Sequence, residues 1–178
     1  MLREFRNETG THAIEVYYDD TWSIRDIIEM YDSIDVLYNH RKYTLGNIVV
    51  NPGEFSNEEE MINWIKEVHD AKTIVPLYAY EHGDITVSTS KFTCPWDSGQ
   101  VGWIISKNEN DDKMCNGLAE DMDMCLNNNI YRLHLVKINM CDFEHEHREI
   151  IDSVGGIFDD SDDYTWCLTE GKWHFPDF

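Results

Sequence analysis

Cys94, Asp97 and Ser98 stand together in the stretch CPWDSGQVGWI, residues 94–104, and each is a residue type that can take part in covalent chemistry. A thiol or hydroxyl becomes a useful nucleophile when a base takes its proton and a carboxylate orients that base. His82 or His40 would be the imidazole that the fold brings in. The surrounding pattern does not support that reading, because neither a G-x-S-x-G elbow nor a cysteine-protease signature is present. A structural reading needs less: Pro95 fixes the chain, and an Asp-Ser-Gly turn can bond its own backbone. Trp96 would then cover the core as the chain enters a strand at Val101. The structural reading is preferred, and no catalytic residue is assigned.

A second cluster, CDFEHEH, sets Cys141, Asp142, Glu144, His145, Glu146 and His147 within seven residues. On a strand His145 and His147 would share a face and could reach one ion. A solvated turn is the simpler expectation, and the H-E-x-x-H pattern is absent. Neither a metal nor a cofactor is assigned. Five cysteines at irregular spacing, with no C-x-x-C pair, point to reduced thiols rather than a disulfide framework.

The charge is the loudest feature. Asp and Glu number 35 against 14 Lys and Arg, for a formal net charge of −21 over 178 residues. Such a chain is repelled by nucleic acid and by anionic membrane, and is steered toward basic surfaces. The acid falls in four clusters, NENDDK (108–113), EDMD (120–123), CDFEHEHRE (141–149) and FDDSDDY (158–164). Carboxylates spread over helices and turns can mimic a nucleic-acid backbone, which carries one phosphate per about 3.4 Å of strand. Asp111, Asp112, Glu120, Asp121, Asp123, Asp159, Asp160, Asp162 and Asp163 are the candidate partner-binding residues. DDSDDY could suggest calcium, but it lacks the glycine and terminal glutamate of an EF-hand loop.

These side chains need a scaffold, and the apolar pattern supplies one. Apolar residues make up 42% of the chain and aromatic residues 12%, enough for a packed core. Strands are expected at 12–20, 34–40, 73–82, 84–90 and 101–107, with Gly83 turning a hairpin. Pro76 suits an edge or a strand start. Helices are expected at 23–33, on Ile24, Ile27, Ile28 and Tyr31, and from Ser56, capped with Glu59, on Met61, Ile65 and Val68. A third, over 111–129, carries Met114, Leu118, Met122, Cys125 and Leu126 on one stripe. A hairpin of 130–141 with 148–158 completes the set, with a bulge at Gly155–Gly156. The expectation is one α+β domain over 1–178, mainly an antiparallel sheet of hairpins with two or three amphipathic helices. No apolar run reaches a membrane span, and MLREFRNETG has no secretory h-region.

The segment 74–107, IVPLYAYEHGDITVSTSKFTCPWDSGQVGWIISK, resembles a family of small proteins encoded by phages, prophages and plasmids of Gram-positive bacteria. That family carries an apolar strand ending in Tyr and His, a Ser/Thr tract, and Cys-Pro-Trp-Asp-Ser-Gly-Gln-Val-Gly before an aromatic residue and Ile. HRKYTLGN (40–47) and DSVGGIF (152–158) extend the likeness, and the acidic segment 108–129 departs from the Lys-rich one of many relatives. The resemblance implies a mobile-element context in a bacterial cytoplasm. In that context the acid suggests an anti-CRISPR or antirestriction protein that blocks the basic groove of a host nuclease. The alternatives are a small enzyme using the Cys94–Ser98 region and a metal- or small-molecule-binding accessory protein.

Overall fold

The computed structural model describes residues 1–140 and 145–158. It is an α+β structure with two mostly antiparallel sheets and three α-helices among the described residues. The chain forms two compact units. One comprises Met1–Thr21 with Asn128–Phe178, and the other comprises Trp22–Asn127. No helix among the described residues is long and apolar enough to cross a membrane.

The first unit is a four-stranded antiparallel sheet of β1 (Arg3–Arg6), β2 (His12–Tyr18), β8 (Tyr131–Met140) and β9 (Glu146–Ile157), in the order β1-β2-β8-β9. Strand alternation gives it two faces of different character. Ile14, Val16, Leu133, Leu135 and Ile157 pack together on one face. On the other, Arg148 pairs with Glu4, Glu15 and Glu146, and Arg6 pairs with Glu4 and Glu146. Strands lie about 4.8 Å apart, so β1 and β9 would stand roughly 14 Å apart in a flat sheet. The long Arg and Glu side chains together reach across that gap.

The expected bulge is present. Between β8 and β9 the register slips beside Leu133 and again between Leu135 and Val136, and Gly156 has φ +67°. Its purpose is visible in the buried Asp19, which accepts hydrogen bonds from the Thr21 hydroxyl (2.6 Å), Arg132 (2.8 Å) and the Gly156 amide (3.0 Å). Burial works against the charged carboxylate, but those donors outweigh it and hold the Asp19 carboxyl below its ordinary value. Burial also opposes ionisation of Glu4, and Arg6 and Arg148 likewise overcome it. Bonds from Arg6 and Arg148 bring Glu146 to about 2.

Carboxyls whose folded pKa is depressed contribute stability above their unfolded value, near 4, and lose it as pH falls through the folded value. Amide exchange in β2 and β8 should therefore accelerate as pH drops from about 4 toward 2, after correction for the intrinsic exchange rate. Unchanged protection across that window would contradict the role given to these pairs.

The second unit holds a five-stranded sheet in the order β4-β3-β7-β5-β6: β3 (Ile34–Tyr38), β4 (Ile48–Val49), β5 (Thr73–His82), β6 (Asp84–Ser88) and β7 (Ser98–Ser106). All pairings are antiparallel except the short β3–β4 pair. Helix α2 (Glu58–His69) lays Met61 and Ile65 against Leu37, Trp103 and Ile105 on one face. Helices α1 (Ile24–Glu29) and α3 (Asp112–Leu126) pack on the other, where Val36, Val75 and Ile104 are buried. Gly83 turns the β5–β6 hairpin at φ +90°. Pro76 lies in the half of β5 that β6 does not reach, since their pairing begins at Tyr78, so its missing N–H leaves no ladder partner there.

Several local expectations are corrected. The α2 cap is Asn57, whose side chain accepts from the Glu60 amide (2.9 Å), while Glu60 reaches back to the Ser56 amide (2.7 Å). The cap is thus one residue later than Ser56, and because Glu60 bonds the amide before the cap, the reciprocal box expected of Ser56 with Glu59 does not form. Val68 is 59% exposed and Met114 49% exposed, whereas Cys115 and Ala119 are buried. The α3 stripe is rotated accordingly. Strands β1 and β4 had no counterpart in the sequence reading.

Candidate functional site

The Cys/Asp/Ser chemistry of the 94–104 stretch resolves into a turn. The Ser98 hydroxyl donates to the Cys94 carbonyl, and the Glu81 amide donates to the Asp97 carbonyl (2.8 Å), which ties the turn to β5. The fold does bring Cys94, Asp97 and His82 together. The Cys94 thiol lies 3.7 Å from Asp97 Oδ2, and His82 Nδ1 lies 3.5 Å from the same oxygen. The order differs from a thiol–imidazole–carboxylate arrangement, because the carboxylate stands between thiol and imidazole and the imidazole does not touch the thiol. His40 is committed elsewhere: its Nδ1 accepts from the Tyr43 amide (3.1 Å), and its Nε2 lies 3.6 Å from Glu81. Trp96, expected to cover the core, is instead 90% exposed. The turn's own hydrogen bonds hold it in place, so it needs no packed indole.

The nine candidate acids divide into three groups. Asp112 and Glu120 are exposed on α3 and form no ion pair among the described residues. Asp111, Asp121 and Asp123 are built into the fold. Asp111 accepts from the Ser106 hydroxyl (2.6 Å), and its own amide donates to Thr73 Oγ1 (3.1 Å), which fixes the start of α3 to β5 and β7. Asp121 accepts from the Tyr31 hydroxyl (2.6 Å), and burial together with that carboxylate raises the Tyr31 phenol. Asp123 accepts from the Val87 amide (2.8 Å) and caps the open edge of β6. Burial pushes its carboxyl up, and the bonds from Val87 and Asn127 oppose that rise. Asp159, Asp160, Asp162 and Asp163 lie outside the described residues, as do Cys141, Asp142 and Glu144. Among the described residues, no group of three or more His, Cys, Asp or Glu side chains is placed to hold a metal.

A more continuous acidic surface lies on α2. Glu58, Glu59 and Glu60 fill its first turn, where they complement the helix dipole. Glu59, Asn63 and Glu67 follow at i, i+4 and i+8 on the solvent side, all exposed. With Glu60 and Trp64 they line a shallow surface groove. The Glu59–Glu67 spacing is the sequence signal for this surface, on a helix otherwise expected only to pack against the sheet.

Beside it, a groove of about 420 Å³ opens between the start of α2 and β7. Its floor is Trp103, 7% exposed, with Phe55 and Met61 as walls and Asn57, Glu58 and Gln100 at the rim. Phe55 is braced by Trp64, their ring centroids 5.3 Å apart. Across the same sheet face run Tyr78, Tyr80 and Phe92, with Lys91 over the Tyr78 ring (5.8 Å). Compared with protein-family models, with curated proteins and with solved structures, the chain matches none.

Proposed function

We propose that this chain works by binding rather than by catalysis, as a mobile-element protein that inhibits a host defence nuclease of the CRISPR or restriction type. It does so in the bacterial cytoplasm by presenting carboxylates to the nuclease's basic nucleic-acid groove. The observation that carries the proposal is the acidic face of α2, where Glu58, Glu59 and Glu67 are exposed and form no ion pair among the described residues. Asp112 and Glu120 are exposed on α3, on the opposite side of the sheet, as a separate acidic patch. The overall excess of 35 acidic over 14 basic residues leaves little to neutralise such a surface. Asp97, rather than the His82 imidazole, lies beside the Cys94 thiol, which favours a binding role over nucleophilic chemistry at the turn.

Complementary charge raises association rate and specificity more than contact energy, and its effect falls with salt. Reversing Glu58, Glu59 and Glu67 to Lys together should weaken inhibition of the target nuclease by about tenfold or more at low ionic strength. The set Cys94→Ala, Asp97→Ala and His82→Ala should leave it unchanged. Inhibition that survives charge reversal but is lost in the second set would reverse the assignment in favour of chemistry at the turn.

A further inference from the structure

We infer that the groove between α2 and β7 is an arginine-anchoring subsite for the basic partner. This rests on the binding function proposed above and identifies the side chain that the surface recognises.

A guanidinium needs a flat apolar surface to stack on, an acceptor for its fork of N–H groups, and a channel for its stem. The groove offers all three. Trp103 and Phe55 supply aromatic surface, and Met61 completes an apolar channel of adequate volume, about 420 Å³ in all. Glu58 is exposed at the rim and pairs with no cation among the described residues. Gln100 donates through Nε2 to the Gly102 carbonyl (3.3 Å), which leaves its Oε1 available to accept.

The helix N-terminus at Asn57 would by itself favour an anion, with an effective charge of about +0.5. Glu58, Glu59 and Glu60 carry three full negative charges in that same turn, so the local field favours a cation. The compact, strongly hydrated ammonium of lysine would gain the charge but not the stacking or the bidentate geometry. The site should therefore discriminate between the two basic side chains, which a purely electrostatic surface would not.

The test titrates the full chain with a short peptide of alternating Arg and Gly and with its Lys counterpart. Binding is followed by calorimetry and by the indole N–H signals in the NMR spectrum. The Arg peptide should bind about tenfold more tightly and shift the Trp103 signal. Glu58→Gln should abolish that preference. Glu67→Gln, outside the groove, should weaken both peptides alike and keep it. Phe55→Leu, which retains apolar volume, should also reduce the preference, and Glu58→Gln at an exposed position keeps the test valid if Phe55→Leu unfolds. Equal binding of both peptides, or an Arg preference that Glu58→Gln leaves intact, overturns the subsite while the acidic-surface proposal stands. If neither peptide binds at low salt, both fall.

Discussion

Gly102→Ala is expected to unfold the Trp22–Asn127 unit. A Cβ at residue 102 would sit 2.0 Å from the Leu37 carbonyl oxygen and 3.0 Å from the Tyr38 Cα, both backbone atoms of the neighbouring strand β3. No side-chain rotation relieves such a contact, so β3 and β7 would have to separate. The position is also where the β5–β7 register slips. Leu77 pairs with Gly102 and Tyr78 with Gln100, so Val101 is the extra residue of a bulge. Separating two central strands over a core of Leu37, Trp103 and Ile105 places the cost in the exceptional class, about 4 kcal/mol or more. Gly99→Ala, three residues away in the same motif, meets nothing within 4 Å and should change stability by about 0.5 kcal/mol at most. Urea denaturation followed by Trp fluorescence separates the two. Equal stability of both variants would mean that the close approach of β3 to β7 is wrong.

Asp19→Ala has the second largest expected effect, and it falls on the other unit. Removing the carboxylate leaves the Arg132 guanidinium and the Gly156 amide without their acceptor. Arg132 is half-exposed and keeps its bond to the Thr21 hydroxyl, so the cost is that of the unsatisfied buried groups, about 1–3 kcal/mol. The geometry adds a coupling that a generic ion pair would lack. A Cβ on Gly155 would lie 2.3 Å from Asp19 Oδ2, and that oxygen is pinned by its bond from the Gly156 amide. Gly155→Ala should thus be strongly destabilising in the native chain and much less so beside Asp19→Ala. A double-mutant cycle by thermal denaturation reads this directly. Additive losses would show that Asp19 does not occupy the space that Gly155 leaves.

Much of this architecture was legible from apolar period and turn chemistry. Strand β2, the β5–β6 hairpin on Gly83, the β8–β9 hairpin with its bulge and helix α3 all announce themselves in that way. What escaped had physical reasons. Ser56 and Asn57 can both cap, and Glu58, Glu59 and Glu60 offer consecutive partners, so pattern alone does not fix which residue caps the helix. Strands β1 and β4 are short, with four and two residues, too few to show alternation. Trp96 was placed inside on hydrophobicity, but a turn that satisfies itself with Ser98 and Asp97 leaves its indole outside.

The candidate surface was the least legible part. Sequence gives the number of carboxylates but not their direction. It could not separate Asp112 and Glu120, which face solvent, from Asp111, Asp121 and Asp123, which serve Ser106, Tyr31 and Val87. Nor could it show that the Glu-rich first turn of α2 borders an aromatic groove, since Trp103 comes from a strand some forty residues away in sequence.

The most direct test of the central claim is affinity chromatography of a bacterial host lysate on the immobilised full chain, at about 50 mM and about 500 mM salt. Retained nucleases are identified and then assayed for inhibition by the free protein. A basic nuclease held at low salt, released at high salt and inhibited by the native chain but not by the Glu58/Glu59/Glu67 reversal is the predicted result. A nuclease whose retention is insensitive to salt, or whose inhibition survives the reversal, would contradict the account.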